Sequence, residues 1–160
     1  MIQAKMTIAL EVSQTSQSPA TAGSLAYETS DIDHWGGGQG SGQVDANYRA
    51  ALSLLASGTT TLNVLAAGGL LDAFGNTLDL DELKGLVVKC LTGSISITGV
   101  ASGLTCFTGV DEGIKLGAGQ TFAINFGAAG LAVGAAGSIK ISETSTTLPA
   151  TYEIALVGAE

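Results

Sequence analysis

The sequence predicts an all-β fold: a jelly-roll-like antiparallel β-sandwich with one short helix and a long N-terminal loop or arm. Three observations carry that expectation. Apolar residues recur at every second position in short runs along the whole chain, the period that puts alternate side chains on one face of a sheet. Clusters of turn-forming residues separate these runs. Glycine accounts for 23 of 160 residues and charged residues for only 12%, about twice and about half their usual shares, which suits short strands, tight turns and a surface partly covered by neighbours. Residues 1–160 are read as a single domain, because a chain of about 150 residues can bury roughly 70% of its unfolded surface around one core.

Taken in order, Met6, Ile8, Leu10 and Val12 share one parity, with Lys5, Thr7, Ala9 and Glu11 on the other, and form the first expected strand. "ANYRAALSLLAS" has helical propensity yet also alternates through Tyr48, Ala50, Leu52 and Leu54, so helix and strand both stand. "TTTLNVL" is strand-like. "DLDELKGL", with Asp79 or Asp81 as cap, Glu82 in the first turn and Gly85 as stop, predicts a short helix leading into a strand near Leu86. "GLVVKCL" is apolar enough to be a strand covered on both faces. Alternation returns in "SISIT", "TFAINF", "SIKIS" and "TYEIALV". The punctuation between them is "TGS", "GVDEG", "LGAG", two "GAAG" tetrads and "TTLPA".

The uncharged window from Leu116 to Ile139 poses a choice between membrane span, phosphate loop and strands. Six glycines, Gln120, Asn125 and the two-residue period of Phe122, Ile124 and Phe126 argue for strands and turns. The chain has neither a Gly-Lys pair nor a G-x-G-x-x-G, so phosphate-cradle chemistry is unsupported. Six Lys and Arg against 14 Asp and Glu give a net charge of −8 and an isoelectric point near 4.3, which leaves no basic footprint for phosphates. Neither nucleic acid nor a membrane is expected as a partner. The N-terminus lacks the apolar core and cleavage site of a standard signal peptide, and Cys90 and Cys106 are expected to be reduced, partly buried thiols.

No catalytic, cofactor or metal site emerges. Asp31, Asp33 and Gly36 occupy the first, third and sixth places of a calcium-loop pattern, but Trp35 and Gly42 stand where oxygen ligands are needed. An ordinary Asp- and Gly-rich loop is the reading adopted. His34 is the single histidine, which excludes a zinc site of several imidazoles. There is no G-x-S-x-G, and the paired carboxylates Asp79 with Asp81 and Asp111 with Glu112 suit turn and cap roles. The chain is read as a non-enzyme.

"VDANYRAALSLLASGTTTLNVLAAGGLLDAFGNTLDLDELKGLVVKCLTG", followed by "LGAGQTFAINF", "LAVGAAGSIKIS" and "TYEIALVGAE", resembles small structural proteins of tailed bacteriophages. The similarity covers Val44 to Gly158, and Gly68 to Lys89 is its most specific part. It implies a jelly-roll-like sandwich displayed on the exterior of the virion, present in the host cytoplasm during assembly. The implied role is a capsid cement or decoration protein that binds and stabilises the major capsid protein lattice as a homo-oligomer, expected to be a homotrimer. The alternative is a head-fibre, tail or surface module that binds bacterial glycans.

The N-terminal third departs most from that resemblance, and residues 13–43 lie within it. They hold six glycines, many Ser, Thr and Gln, and few large apolar residues, so they are expected as an extended arm or long loop that gains order against a neighbour. Leu25, Tyr27, Ile32 and Trp35 are its candidate partner-binding residues. They serve equally as caps for the chain's own core.

Overall fold

A computed structural model describes residues 4–15, 24–37, 41–72, 75–100, 104, 106–107, 113–133 and 137–160, with side chains from residue 36 onward. In chain order the strands are β1 (Ala4–Thr15), β2 (Ser24–Gly37), β3 (Gln43–Val44), β4 (Ala46–Leu54), β5 (Thr59–Asn63), β6 (Glu82–Thr92), β7 (Ser94–Thr98), β8 (Gly113–Gly117), β9 (Thr121–Asn125), β10 (Leu131–Ala132), β11 (Ser138–Glu143) and β12 (Ala150–Ala159). One 3-10 turn, Ala66–Gly68, follows β5. Two antiparallel sheets form the sandwich. One runs β10-β6-β12-β4, with β9 also paired to β6, and the other runs β5-β11-β7-β8.

The core lies where alternation predicts it. Tyr152, Ile154 and Leu156 of β12 and Leu86, Val88 and Cys90 of β6 face Ile95 and Ile97 of β7, Ile139 and Ile141 of β11, and Leu62 of β5, all nearly or fully buried. At about 25 cal/mol per Å² of apolar surface removed from water, these rows are the main reason the sheets stay together. Val64, Leu78, Leu80, Leu104 and Val133 close the ends. Phe107 joins the Leu104 loop to β9 through Phe122, with ring centroids 6.2 Å apart and tilted by 59°.

The segment with two readings is a strand. β4 pairs with β12 from Leu54↔Ala150 to Ala46↔Gly158, because Ala46, Tyr48, Ala50, Leu52 and Leu54 can all turn one way only in extended backbone. The helix expected over Asp79–Gly85 is not formed, since β6 begins at Glu82 and has sheet partners on both sides. Local helical propensity is worth a few tenths of a kcal/mol per residue, less than sheet pairing plus burial of Leu83 and Leu86. Asp79 does cap a helical turn, but a different one: its carboxylate accepts the Ala66 N–H at 2.9 Å. Coverage of "GLVVKCL" on both faces holds only near its start. Gly85 and Leu86 are buried in succession, whereas Lys89 and Leu91 are exposed.

The uncharged window is strand and turn. Gly127 and Gly130 of the first "GAAG" adopt positive φ and close a turn, with Gly130 N–H donating to Gly127 at 3.2 Å. The second tetrad, apart from Gly137, and the "GVDEG" turn, apart from Gly113, lie outside the described residues. Among the described residues no helix is long and apolar enough to cross a membrane.

Of the two expectations for 13–43, an extended arm or a long loop, the loop needs correction over residues 24–37. Ser24–Gly37 is a 14-residue strand, paired antiparallel to β1 from Ala4↔Trp35 to Thr15↔Ser24. Strand periodicity did not betray it because backbone pairing, not a regular apolar row in β2, defines it. The first expected strand therefore belongs to a separate three-stranded sheet, β1-β2-β3.

Candidate interaction surfaces

The four arm residues all fall in β2. Leu25, Tyr27 and Trp35 are opposite Gln14, Val12 and Ala4, in the register row that also contains Met6, Ile8 and Leu10. Ile32, opposite Thr7, belongs to the alternate row. The fold thus brings three of the four into one row and sets Ile32 apart. Asp31 and Asp33 lie opposite Ile8 and Met6 in continuous strand rather than in the Asp- and Gly-rich loop expected of them.

This ribbon joins the sandwich at a narrow root. Gly36 and Gly37 pair in parallel with Gln43 and Val44, and Gly36 N–H donates to Gly42 O at 3.0 Å. Gly42 N–H donates to Ala128 O at 2.9 Å, and Asp45 N–H to Gly158 O at 3.1 Å. The Asp45 carboxylate accepts from Glu160 N–H at 2.9 Å.

Beneath the root lies Lys84, a fully buried lysine that sequence reasoning missed. Its ammonium donates to Ala128 O at 2.8 Å and pairs with the Glu82 carboxylate, which is partly exposed. One carbonyl of the "GAAG" turn therefore ties together the ribbon root and β6. Gly130 makes this possible, because a Cβ there would come within 2.8 Å of Lys84 Cδ while φ is +72°. The signal was available: Glu82 and Lys84 are two apart, neighbours on one face of a strand, but a helical reading of this segment hides that relation.

At the opposite end, where β12 enters the sheet, Leu55, Leu91 and Leu148 are exposed, Leu55 by 81%. Leu71, in an isolated bridge with Thr77, is also exposed. Gly93 makes the tight passage from β6 to β7 with φ +74°, and a Cβ there would sit 2.7 Å from Pro149 O. Nearby, buried Glu143 accepts from Ser145 N–H at 2.8 Å and Ser94 Oγ at 3.4 Å, while its other carboxylate oxygen is buried without a hydrogen bond.

Cys90 and Cys106 are free thiols. Burial, and then the nearby Glu143 charge, push the Cys90 thiol up, with a backbone hydrogen bond opposing them. Burial likewise raises Cys106. A thiol held protonated inside a sheet is a poor nucleophile. Tyr152 is raised to about 12, mainly by burial, with Thr60 opposing and Tyr48 adding to the shift. Its hydroxyl is close to Thr60 without forming a well-aligned hydrogen bond. Cys90 and Tyr152 are buried in the core, with Cys106 packed half-buried against it; among the described residues no group of three or more His, Cys, Asp or Glu could hold a metal ion.

Among the described residues, the longest sandwich strand paired on one side only is β4. β4 pairs with β12 on one side and is the last strand of its sheet. Its inward residues Tyr48, Ala50 and Leu52 pack on the core yet are only partly buried.

No protein-family model matches the sequence, and no curated protein matches it. Among solved structures, the Cnp3 cupin domain of Schizosaccharomyces pombe is similar at 8% identity with a TM-score of 0.37, over 93% of this chain and 83% of that one. So distant a likeness carries no argument about activity, and the comparisons assign the chain to no family.

Proposed function

We propose that this chain is a non-enzymatic structural protein of a tailed-phage virion. In this reading it is a capsid cement or decoration protein that binds the major capsid protein lattice from outside as a homo-oligomer. The observation that carries the reading is the two-part build: a β-sandwich with a continuous core, and a long ribbon attached to it through Gly36, Gly37 and the short β3. A cement protein needs a rigid body and a segment that reaches across a subunit boundary; it does not need a pocket. The resemblance of Val44 to Gly158 to phage structural proteins supports the same role. From residue 36 onward, the large apolar side chains exposed among the described residues are leucines, Leu55, Leu71, Leu91 and Leu148, which suit a protein partner better than the aromatic platform that sugars stack on.

Co-sedimentation of the purified chain with empty tailed-phage shells, followed by calorimetry of the shells, tests the reading. Saturable pelleting and a higher shell melting temperature are expected. A chain that stays in the supernatant and instead binds bacterial surface glycans would replace this reading with the glycan-binding one.

A further inference from the structure

Among the described residues the two long strands with a single partner are β1 and β4; β5, β8, β9 and β10 also pair on one side only, but each has five residues or fewer. β1 is the outer strand of the ribbon, 12 residues long and paired to β2 alone. β4 is the outer strand of the larger sandwich sheet, 9 residues long and paired to β12 alone. An exposed edge presents a row of unpaired N–H and C=O groups and is a template for another strand. Soluble proteins usually blunt such edges with proline, inward charges, bulges or short length. Neither β1 nor β4 contains proline, and both register one-for-one with their partners.

From these edges we infer that the β1 edge of one copy adds to the β4 edge of a second copy, extending the sandwich sheet across the interface in the order β2-β1-β4-β12-β6. Length matches, since 12 residues suffice to cover 9. Charge matches as well. Arg49 is exposed and is the one charged residue of β4, in a chain of net charge −8, whereas the ribbon carries Lys5 against Glu11, Glu28, Asp31 and Asp33. The added strand would also cover Tyr48, Ala50 and Leu52, which the chain alone leaves half-buried over its own core. Donor and acceptor are different surfaces of the same chain, so the contact is head-to-tail and closes into a ring when its rotation permits. The inference concerns self-association and does not depend on the capsid reading.

Consecutive strand residues turn their N–H groups to opposite sides, so of two neighbouring proline substitutions one removes an outward N–H and the other an established sheet bond. The pairs Ala9→Pro with Leu10→Pro in β1, and Arg49→Pro with Ala50→Pro in β4, supply one edge-blocked variant each, recognised by unchanged circular dichroism. Light scattering of the full-length unsubstituted chain is expected to give an oligomer. The β1-blocked and β4-blocked variants are each expected to be monomers, and mixed they should form a one-to-one heterodimer that grows no further. A monomeric unsubstituted chain overturns the inference. So does a homodimer of the β1-blocked variant, which would mean β4 pairs with β4, or of the β4-blocked variant, which would mean β1 pairs with β1. Should the proline variants unfold, Arg49→Glu, exposed on the outer face, is expected to weaken association about tenfold; unchanged association would count against the pairing. Since no shell is present, an oligomer that ignores shells would defeat only the capsid reading, and a monomer that pellets with shells would defeat this inference and the homo-oligomer part of the capsid reading while leaving shell binding itself standing.

Discussion

The sandwich and the ribbon are both antiparallel β-structure, yet they are held together by different means. In the sandwich, every strand sends a row of side chains into a core shared by both sheets, so each strand is stabilised by elements distant in sequence. In the ribbon, β1 and β2 have each other over 12 register pairs, and the link to the rest of the molecule is the two-residue pairing of β2 with β3. A two-stranded ribbon alone in water is marginal. Fold stability should therefore be read from the sandwich, and any dependence on a partner from the ribbon.

The largest expected effect is in the core. Ile97→Ala removes a fully buried side chain facing the opposite sheet and should cost about 2–5 kcal/mol, lowering the melting temperature by roughly 5–15 °C in calorimetry. A much smaller loss would show that the core relaxes around the cavity.

Alkaline titration comes next. Tyr152 ionises near its ordinary 10.0 when unfolded but only at about 12 when folded. The unfolded state thus releases its proton first as pH rises, so the stabilisation is complete below pH 10 and is lost between pH 10 and about 12. The loss is on the order of 2 kcal/mol. Denaturant melts across that range should show it, and Tyr152→Phe should flatten the slope while changing stability at neutral pH by less than about 1 kcal/mol.

Lys84→Met tests the junction between the two regions. It keeps the buried stem but removes a donor from Ala128 O, and is expected to cost about 1–2 kcal/mol. Hydrogen exchange at the Gly42 amide, which donates to the same carbonyl, should quicken. If it does not, the turn is held without the lysine.

The smallest expected effect sharpens the contrast most. Whichever of Ala9→Pro and Leu10→Pro breaks a β1–β2 hydrogen bond should disrupt the ribbon yet shift the sandwich melting transition of the dissociated chain by less than about 0.5 kcal/mol. A shift as large as that of Ile97→Ala would mean that the two regions share a core after all.

Legibility in the sequence divides along the same line. β7, β11 and β12 were readable because burial on one face of each strand enforces a two-residue period, seen in Ile95 and Ile97, in Ile139 and Ile141, and in Tyr152, Ile154 and Leu156. The ribbon was half legible: β1 alternates, whereas β2 is defined by main-chain pairing, which carries little side-chain signature. The segment Asp79–Gly85 misled because its cap residues are real but serve the turn at Ala66. Lys84 was half legible: its spacing from Glu82 is in the sequence, but its other partner, Ala128 O, lies 44 residues away in a turn whose sequence, "GAAG", announces flexibility and not acceptance of a charge. The open edge of β4 was beyond reach, because which strand ends a sheet depends on strand order.

Cys90 gives the molecule a built-in clock. Its sulfur is sealed in the core, pointing toward the carbonyls of Thr92 and Gly93, while Cys106 is only half-buried. A thiol reagent can reach Cys90 only when β6 and β7 part, so its labelling rate counts the openings of the sandwich itself, molecule by molecule, under native conditions. With Cys106 as the faster internal reference, that rate would report whether a bound partner merely covers the sandwich or keeps it shut.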